Sequence, residues 1–152
     1  QEYLTSENIY LWANLGVLPF WFMLILIPNS RFTQIFVNSI IAPLILCTAY
    51  VYIIYQSFLL DEPILDFFLL YVSLDNLYTV FATESFLLIF WLHFLSLNLF
   101  LGSWVSRDSV KYNISRGLIF VPLILIYFTG PIGLVLYWLI RTFYSKKLGF
   151  HD

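Results

Sequence analysis

Charged residues are scarce in this chain of 152 residues. Only 11% of them are Asp, Glu, Lys or Arg, whereas 61% are hydrophobic and 21% are aromatic. So little polar material cannot coat a water-soluble globule of this size. The basic residues also form no patch interleaved with aromatics, so the sequence gives no support for nucleic-acid binding. The composition therefore indicates a protein whose solvent is lipid.

Cysteine is nearly absent, which limits the covalent and metal chemistry of the chain. The single cysteine, Cys47, rules out a disulfide within the chain and is expected to pack as a small hydrophobe. No second His, Cys or carboxylate stands at metal-binding spacing near His93. The sequence thus predicts no metal site built from protein ligands alone.

Long apolar stretches are the main feature that is present. Four of them are almost free of charge: residues 10–27, 35–60, 85–103 and 117–140. Each is close to the roughly 20 residues that cross a bilayer as a helix, and none shows the alternation of a barrel strand. We therefore predict an all-α, polytopic transmembrane helical bundle with four spanning helices. Residues 1–152 are predicted to form a single transmembrane domain.

The connection at residues 63–81 has a mixed character. Its apolar residues recur at helical spacing, but Asp66, Asp75 and Asn76 interrupt them. Because charges at the centre of a bilayer are costly, we expect an interfacial or re-entrant amphipathic segment.

The fourth apolar stretch contains a glycine and proline pair. Gly130, Pro131 and Gly133 predict a bend within one spanning helix, with close approach by a neighbour. Arg141 ends the stretch and is expected to extend towards lipid headgroups.

The third apolar stretch carries a histidine, which is expected to be buried. Three roles for His93 stay open: a neutral imidazole bonded to a neighbouring helix, a general acid or base, or a ligand to a metal such as the magnesium of a chlorophyll. Trp91, Leu95, Asn98 and Gly102 are predicted to share another helix face.

Aromatic residues are frequent inside the apolar stretches. They are Phe20, Trp21, Phe22, Tyr50, Tyr52, Tyr55, Phe90, Trp91, Phe94, Phe100, Tyr127 and Phe128. A bundle lined by such rings suits a long, flat, apolar ligand. A carotenoid has this shape and is about as long as the ~30 Å hydrocarbon core.

Five short segments, in order, resemble one known family. They are LPFW (Leu18 to Trp21), SLDNLYTVF (Ser73 to Phe81), WLHFLSLNLFLGSW (Trp91 to Trp104), RDS (Arg107 to Ser109) and GPIGLVLY (Gly130 to Tyr137). In this order they resemble the abscisic-acid-deficient-four-like membrane proteins, from about Leu11 to Arg141. Plant members are plastid membrane proteins required for making neoxanthin from violaxanthin, and related proteins occur in photosynthetic microbes. The resemblance implies carotenoid handling in a thylakoid or plastid membrane, or its cyanobacterial equivalent.

One position departs from the family pattern, which has an aspartate where this chain has Asn98. An amide cannot exchange a proton as a carboxylate does. If that aspartate does acid–base work in the family, this chain binds pigment without transforming it.

Two functional classes follow from the resemblance. If the chain is an enzyme, it isomerises a carotenoid epoxide of the violaxanthin type, which needs a general acid and a base near one ligand end. The candidate catalytic residues are His93, Asp75, Arg107 and Asp108, with Glu84 a further possibility; Arg107 and Asp108 are alternatively a loop ion pair.

The rival class is a non-catalytic subunit of a photosystem or light-harvesting supercomplex that binds carotenoid and chlorophyll. In either class the candidate pigment contacts are Trp91, His93, Asn98, Gly130, Pro131 and Tyr137.

Overall fold

A computed structural model describes residues 5–60 and 64–149, and the side chains outside 57–60 and 64–67. Pro63, at the start of the predicted interfacial segment, lies outside the described residues. The protein is 84% helical, and the described residues contain no strand. The helices are α1 (Ser6–Leu26), α2 (Arg31–Phe36), α3 (Ile41–Leu60), a 3-10 helix (Ile64–Tyr71), α4 (Leu74–Phe81), α5 (Glu84–Lys111), α6 (Arg116–Thr129) and α7 (Pro131–Ser145).

Among the described residues, three stretches are long and apolar enough to cross a membrane. They are Ser6–Leu26, Arg31–Gln56 and Glu84–Lys111. Large apolar side chains on them face outward, such as Leu15 with 62% and Val51 with 60% of its surface exposed. Such exposure is consistent with lipid as the surrounding medium. The predicted all-helical class is confirmed, but the count of four spans is not.

The first helix begins at Ser6, four residues before the predicted span of residues 10–27, and ends at Leu26, one residue before its predicted end. The backbone N–H of Asn8 donates to the Thr5 hydroxyl over 3.3 Å at its start. A turn at Pro28 and Asn29 follows its end, and the Ser30 hydroxyl caps α2 by accepting from the N–H of Thr33. Capping and turn residues thus fix α1 and the entry to α2.

Helix α5 is longer than predicted. The predicted span ends at residue 103, but the helix continues through residues 104–111 to Lys111. Val105, Ser106 and Ser109 are almost fully buried on one side of it. Packing of this face explains why the helix continues through a segment with several polar residues.

The fourth apolar stretch is not one bent helix, so the prediction of a single span at residues 117–140 is wrong. Helix α6 ends at Thr129, Gly130 adopts a φ of +72°, and α7 starts at Pro131. A Cβ built on Gly133 would lie 2.6 Å from the Pro122 carbonyl oxygen. In a continuous helix these two residues would be about 16 Å apart. Helix α7 therefore folds back against α6, and the two form a helical hairpin.

The connection before α5 contains two short helices rather than one segment. The 3-10 helix and α4 have 8 residues each. Such helices reach about 12 to 16 Å, too short to cross a bilayer. An interfacial or re-entrant position for this connection stays a prediction.

The chain divides into two compact units. The first comprises the described residues of Gln1–Gly16 and Leu44–Ser96, and the second comprises Val17–Pro43 and the described residues from Leu97 onward. Each candidate site lies within one of these two units.

Candidate functional site

An apolar groove lies in the second unit between the second half of α1 and helix α6. It has a volume of about 390 Å³ and nine lining residues. These are Leu18, Trp21, Phe22, Ile25, Leu26, Phe120, Ile124, Tyr127 and Phe128. None of these residues carries a carboxylate, imidazole or amine, so the lining of the groove is apolar and uncharged.

Three aromatic rings organise this groove. The ring centroids of Trp21 and Tyr127 are 5.5 Å apart in an edge-to-face arrangement, and those of Tyr127 and Phe128 are 4.9 Å apart. Both arrangements are favourable for aromatic pairs. The Trp21 ring is fixed from behind by Gly102, since a Cβ there would lie 2.6 Å from its Cη2 atom. The absence of a side chain at Gly102 therefore sets the position of the Trp21 ring.

A buried polar cluster joins α5 and α7 in the same unit. One oxygen of Asp108 accepts hydrogen bonds from the Tyr137 hydroxyl at 2.6 Å and from Arg141 Nε at 2.7 Å. The Arg141 guanidinium also donates to the Tyr112 hydroxyl at 3.1 Å and to the Gly149 carbonyl at 2.7 Å. Its carbon lies 4.5 Å from the centre of the Tyr112 ring. The cluster is thus a fully engaged ion pair that fastens α7 to α5.

This cluster corrects two sequence predictions. Arg141 has only 1% of its surface exposed and does not extend towards headgroups. Asp108 pairs with Arg141, whereas Arg107, its neighbour on α5, is exposed. Adjacent residues on a helix point about 100° apart, which explains why Arg107 and Asp108 do not form the expected loop pair. Tyr137 and Asp108, which were predicted for pigment contact and catalysis, are hydrogen-bonded to each other in this cluster, and those two roles stay predictions.

His93 is exposed, so the prediction that it is buried is wrong. Its nearest rings are Tyr50 on α3, at 6.1 Å, and Phe90 one turn earlier on α5, at 6.5 Å. On the helix face that they were predicted to share, Leu95, Asn98 and Gly102 are all buried and Trp91 is half-buried, so this face is the packed side of α5. His93 therefore points away from the packed side of its helix.

Two asparagines hold different positions around α5. In the first unit, Trp91 Nε1 donates to the Asn14 side-chain oxygen at 3.0 Å. In the second unit, Asn98 packs against Gly130, where a Cβ would lie 2.6 Å from its Oδ1 atom. Within the described part of the chain, Asn98 Nδ2 is the one buried side-chain polar atom that lacks a hydrogen-bond partner. Trp91 thus has a structural partner, and Asn98 marks a tight contact at the turn of the hairpin.

The remaining predicted residues lie on surfaces. Asp75 is exposed in the first turn of α4, where its N–H donates to the Ser73 hydroxyl that caps the helix. Glu84 is exposed at the start of α5, Pro131 is exposed at the start of α7, and Cys47 is exposed beside Ser96, with 3.2 Å between Sγ and Oγ. Cys47 is therefore not packed as the small buried hydrophobe that its sequence position suggested.

Comparison with known proteins places these features in a family. The ABA DEFICIENT 4-like family model matches residues 8–137. The protein ABA DEFICIENT 4, chloroplastic, of Arabidopsis thaliana is 25% identical over 125 residues, covering 77% of this chain and 57% of the relative. The chain thus spans a little over half the length of that relative. No solved structure matches. Because the family model covers most of its length, the chain belongs to the ABA DEFICIENT 4-like family, as its sequence motifs predicted.

Proposed function

We propose that this chain is an integral protein of a plastid membrane, or of its cyanobacterial equivalent, and that it binds a carotenoid and supports neoxanthin formation. The observation that carries the proposal is the apolar groove between α1 and α6. The chloroplastic relative of this chain supports the plastid location. The three described stretches that are long and apolar enough to cross a bilayer support the membrane location. Family membership supports the link to neoxanthin.

The groove fits part of a carotenoid rather than all of it. On each helix the first and last lining residues are eight positions apart, from Leu18 to Leu26 on α1 and from Phe120 to Phe128 on α6. That rise corresponds to about 12 Å, well short of a pigment that matches the ~30 Å hydrocarbon core. One end ring and the adjoining polyene would contact the groove, and the rest of the pigment would lie against lipid.

Binding is favoured over isomerisation at this groove. Acid–base catalysis needs groups within hydrogen-bond reach of the reacting end. The groove offers only the Tyr127 phenol, and Asp108 in the same unit is engaged by Arg141 and Tyr137. We therefore propose that the chain holds and presents a carotenoid, with violaxanthin as the first ligand to test.

The experiment is reconstitution of the detergent-purified protein with violaxanthin. We expect a saturable red shift of the carotenoid absorption, an induced circular dichroism signal and quenching of tryptophan fluorescence. Gly102→Ala displaces the Trp21 ring and is expected to weaken the signal, and Trp21→Leu is expected to remove it.

Two matched variants control for general damage. Gly117→Ala adds a methyl where no atom lies within 4 Å of the new Cβ, and Trp12→Leu removes an α1 ring that is 54% exposed. Both are expected to bind as the unmodified chain does. Equal binding by all variants, or no saturable binding at all, would contradict the groove as the carotenoid site.

A second function, a pigment-binding subunit of a photosystem or antenna complex, is favoured by the outward position of His93. An imidazole on an outer helix face suits contact with another molecule. Gentle solubilisation of native membranes distinguishes the two functions. Co-migration with chlorophyll in a large complex supports the subunit role, and a small carotenoid-bearing particle supports the first proposal.

A further inference from the structure

His93 lies at a position where membrane proteins rarely have an exposed ionisable side chain. Helix α5 has 28 residues, and His93 follows its first residue, Glu84, by nine. The imidazole is therefore about 7 Å from the helix midpoint along the axis, well inside a hydrocarbon core ~30 Å thick when the helix is centred in it. Its side chain is exposed at that depth.

An outward-facing imidazole in lipid requires a partner. Ionisable residues in membrane helices almost always face the interior of the bundle or a water-filled cavity, because lipid cannot satisfy their polar atoms. Among the described residues, no hydrogen bond to His93 is present, and its ring neighbours are Tyr50 and Phe90. The partner is therefore a molecule outside the described part of this chain.

The chemistry of the surroundings narrows the choice of partner. Neutral imidazole is a common metal ligand through its free ring nitrogen. The described residues contain no group of three His, Cys, Asp or Glu side chains that could hold a metal ion. A metal bound by His93 must then bring most of its own ligands. A metallotetrapyrrole does so, because its four ring nitrogens leave only axial positions to the protein.

We propose that His93 is the single axial ligand of a five-coordinate metallotetrapyrrole, of the magnesium or zinc type, seated on the outer face of α5. The rings of Tyr50 and Phe90 lie 6.1 and 6.5 Å from the imidazole and would supply apolar surface beside a bound macrocycle. The proposal rests on the membrane location proposed above, but it does not depend on the carotenoid groove, which is built from other residues.

The test uses zinc protoporphyrin IX as the probe, added to the full chain in detergent. We expect a saturable one-to-one red shift of the Soret band with the unmodified chain. His93→Leu is expected to lose this shift, and His93→Gly is expected to regain it when free imidazole is added. Val110→Ala, at an exposed residue near the end of the same helix, serves as the matched variant with retained binding.

The controls separate ligand loss from other causes. Because His93 is exposed, we expect the thermal midpoint of His93→Leu to match that of the unmodified chain. Equal porphyrin binding by the unmodified chain and His93→Leu would overturn the proposal. A dimer that dissociates on His93→Leu, with porphyrin binding unchanged, would also overturn it and assign the imidazole to a protein contact. Violaxanthin binding by His93→Leu reports separately on the groove.

Discussion

We expect the ion pair between Asp108 and Arg141 to contribute strongly to the stability of the protein. The Arg141 side chain is 1% exposed and that of Asp108 is 10% exposed. Removing the carboxylate with Asp108→Ala leaves a buried guanidinium without its counter-ion, which typically costs about 3 to 5 kcal/mol. Asp108→Asn keeps an acceptor oxygen but loses the charge, so a smaller cost of about 1 to 3 kcal/mol is expected.

The measurement is the free energy of unfolding in detergent, followed by far-UV circular dichroism. Arg107→Gln is the matched control, because Arg107 is the adjacent and exposed residue of the same helix. Its expected effect is within about 0.5 kcal/mol. The double variant Asp108→Leu/Arg141→Leu is expected to cost less than the sum of the two single variants, because no unpaired charge stays buried.

Two results would refute this interpretation of the Asp108–Arg141 pair. If Asp108→Ala destabilises the protein no more than Arg107→Gln does, the pair does not fasten α7 to α5. Additive single variants would show that Asp108 and Arg141 do not act through each other.

Two further predictions concern the helical hairpin and the two asparagines. Gly133→Ala forces backbone atoms of α6 and α7 apart and is expected to destabilise by about 1 to 3 kcal/mol, whereas Gly117→Ala, in open space, is expected to be neutral or slightly stabilising. Equal thermal midpoints for the two variants would contradict the hairpin. Asn98→Leu removes an unpartnered donor and is expected to be neutral or stabilising, whereas Asn14→Leu leaves the Trp91 indole N–H without its acceptor and is expected to cost about 1 to 3 kcal/mol. Guanidinium unfolding midpoints check this order, and its reversal would refute the assignment.

The end of α1 near Pro28 and the helix face shared by Leu95, Asn98 and Gly102 could be predicted because local signals specify them. Thr5 and Pro28 bracket the first helix, and the spacing of Leu95, Asn98 and Gly102 places them on one side of a helix. These signals need no knowledge of the neighbouring elements.

The hairpin could not be predicted in the same way. Gly130 and Pro131 in an apolar run are compatible with a bend and with a reversal, and the reversal depends on how Gly133 packs against Pro122. That contact is tertiary, so no local pattern reports it.

The outward position of His93 and the pairing of Arg141 also depend on tertiary contacts. Helix α5 is apolar on all sides over the stretch that contains His93, so periodicity does not mark which side packs. Asp108 and Arg141 are 33 residues apart in sequence, with no spacing rule to link them. The candidate groove had a visible signal in its aromatic residues, but Gly102 as the support of Trp21 had none.

We propose that the groove between α1 and α6 holds a carotenoid. The most direct measurement is pigment analysis of the protein purified gently from its native membrane, alongside the Gly102→Ala variant expressed in the same membrane. We expect near-stoichiometric carotenoid with the unmodified chain and a clear loss of bound carotenoid with Gly102→Ala. A colourless unmodified chain, or equal carotenoid in both, would contradict it.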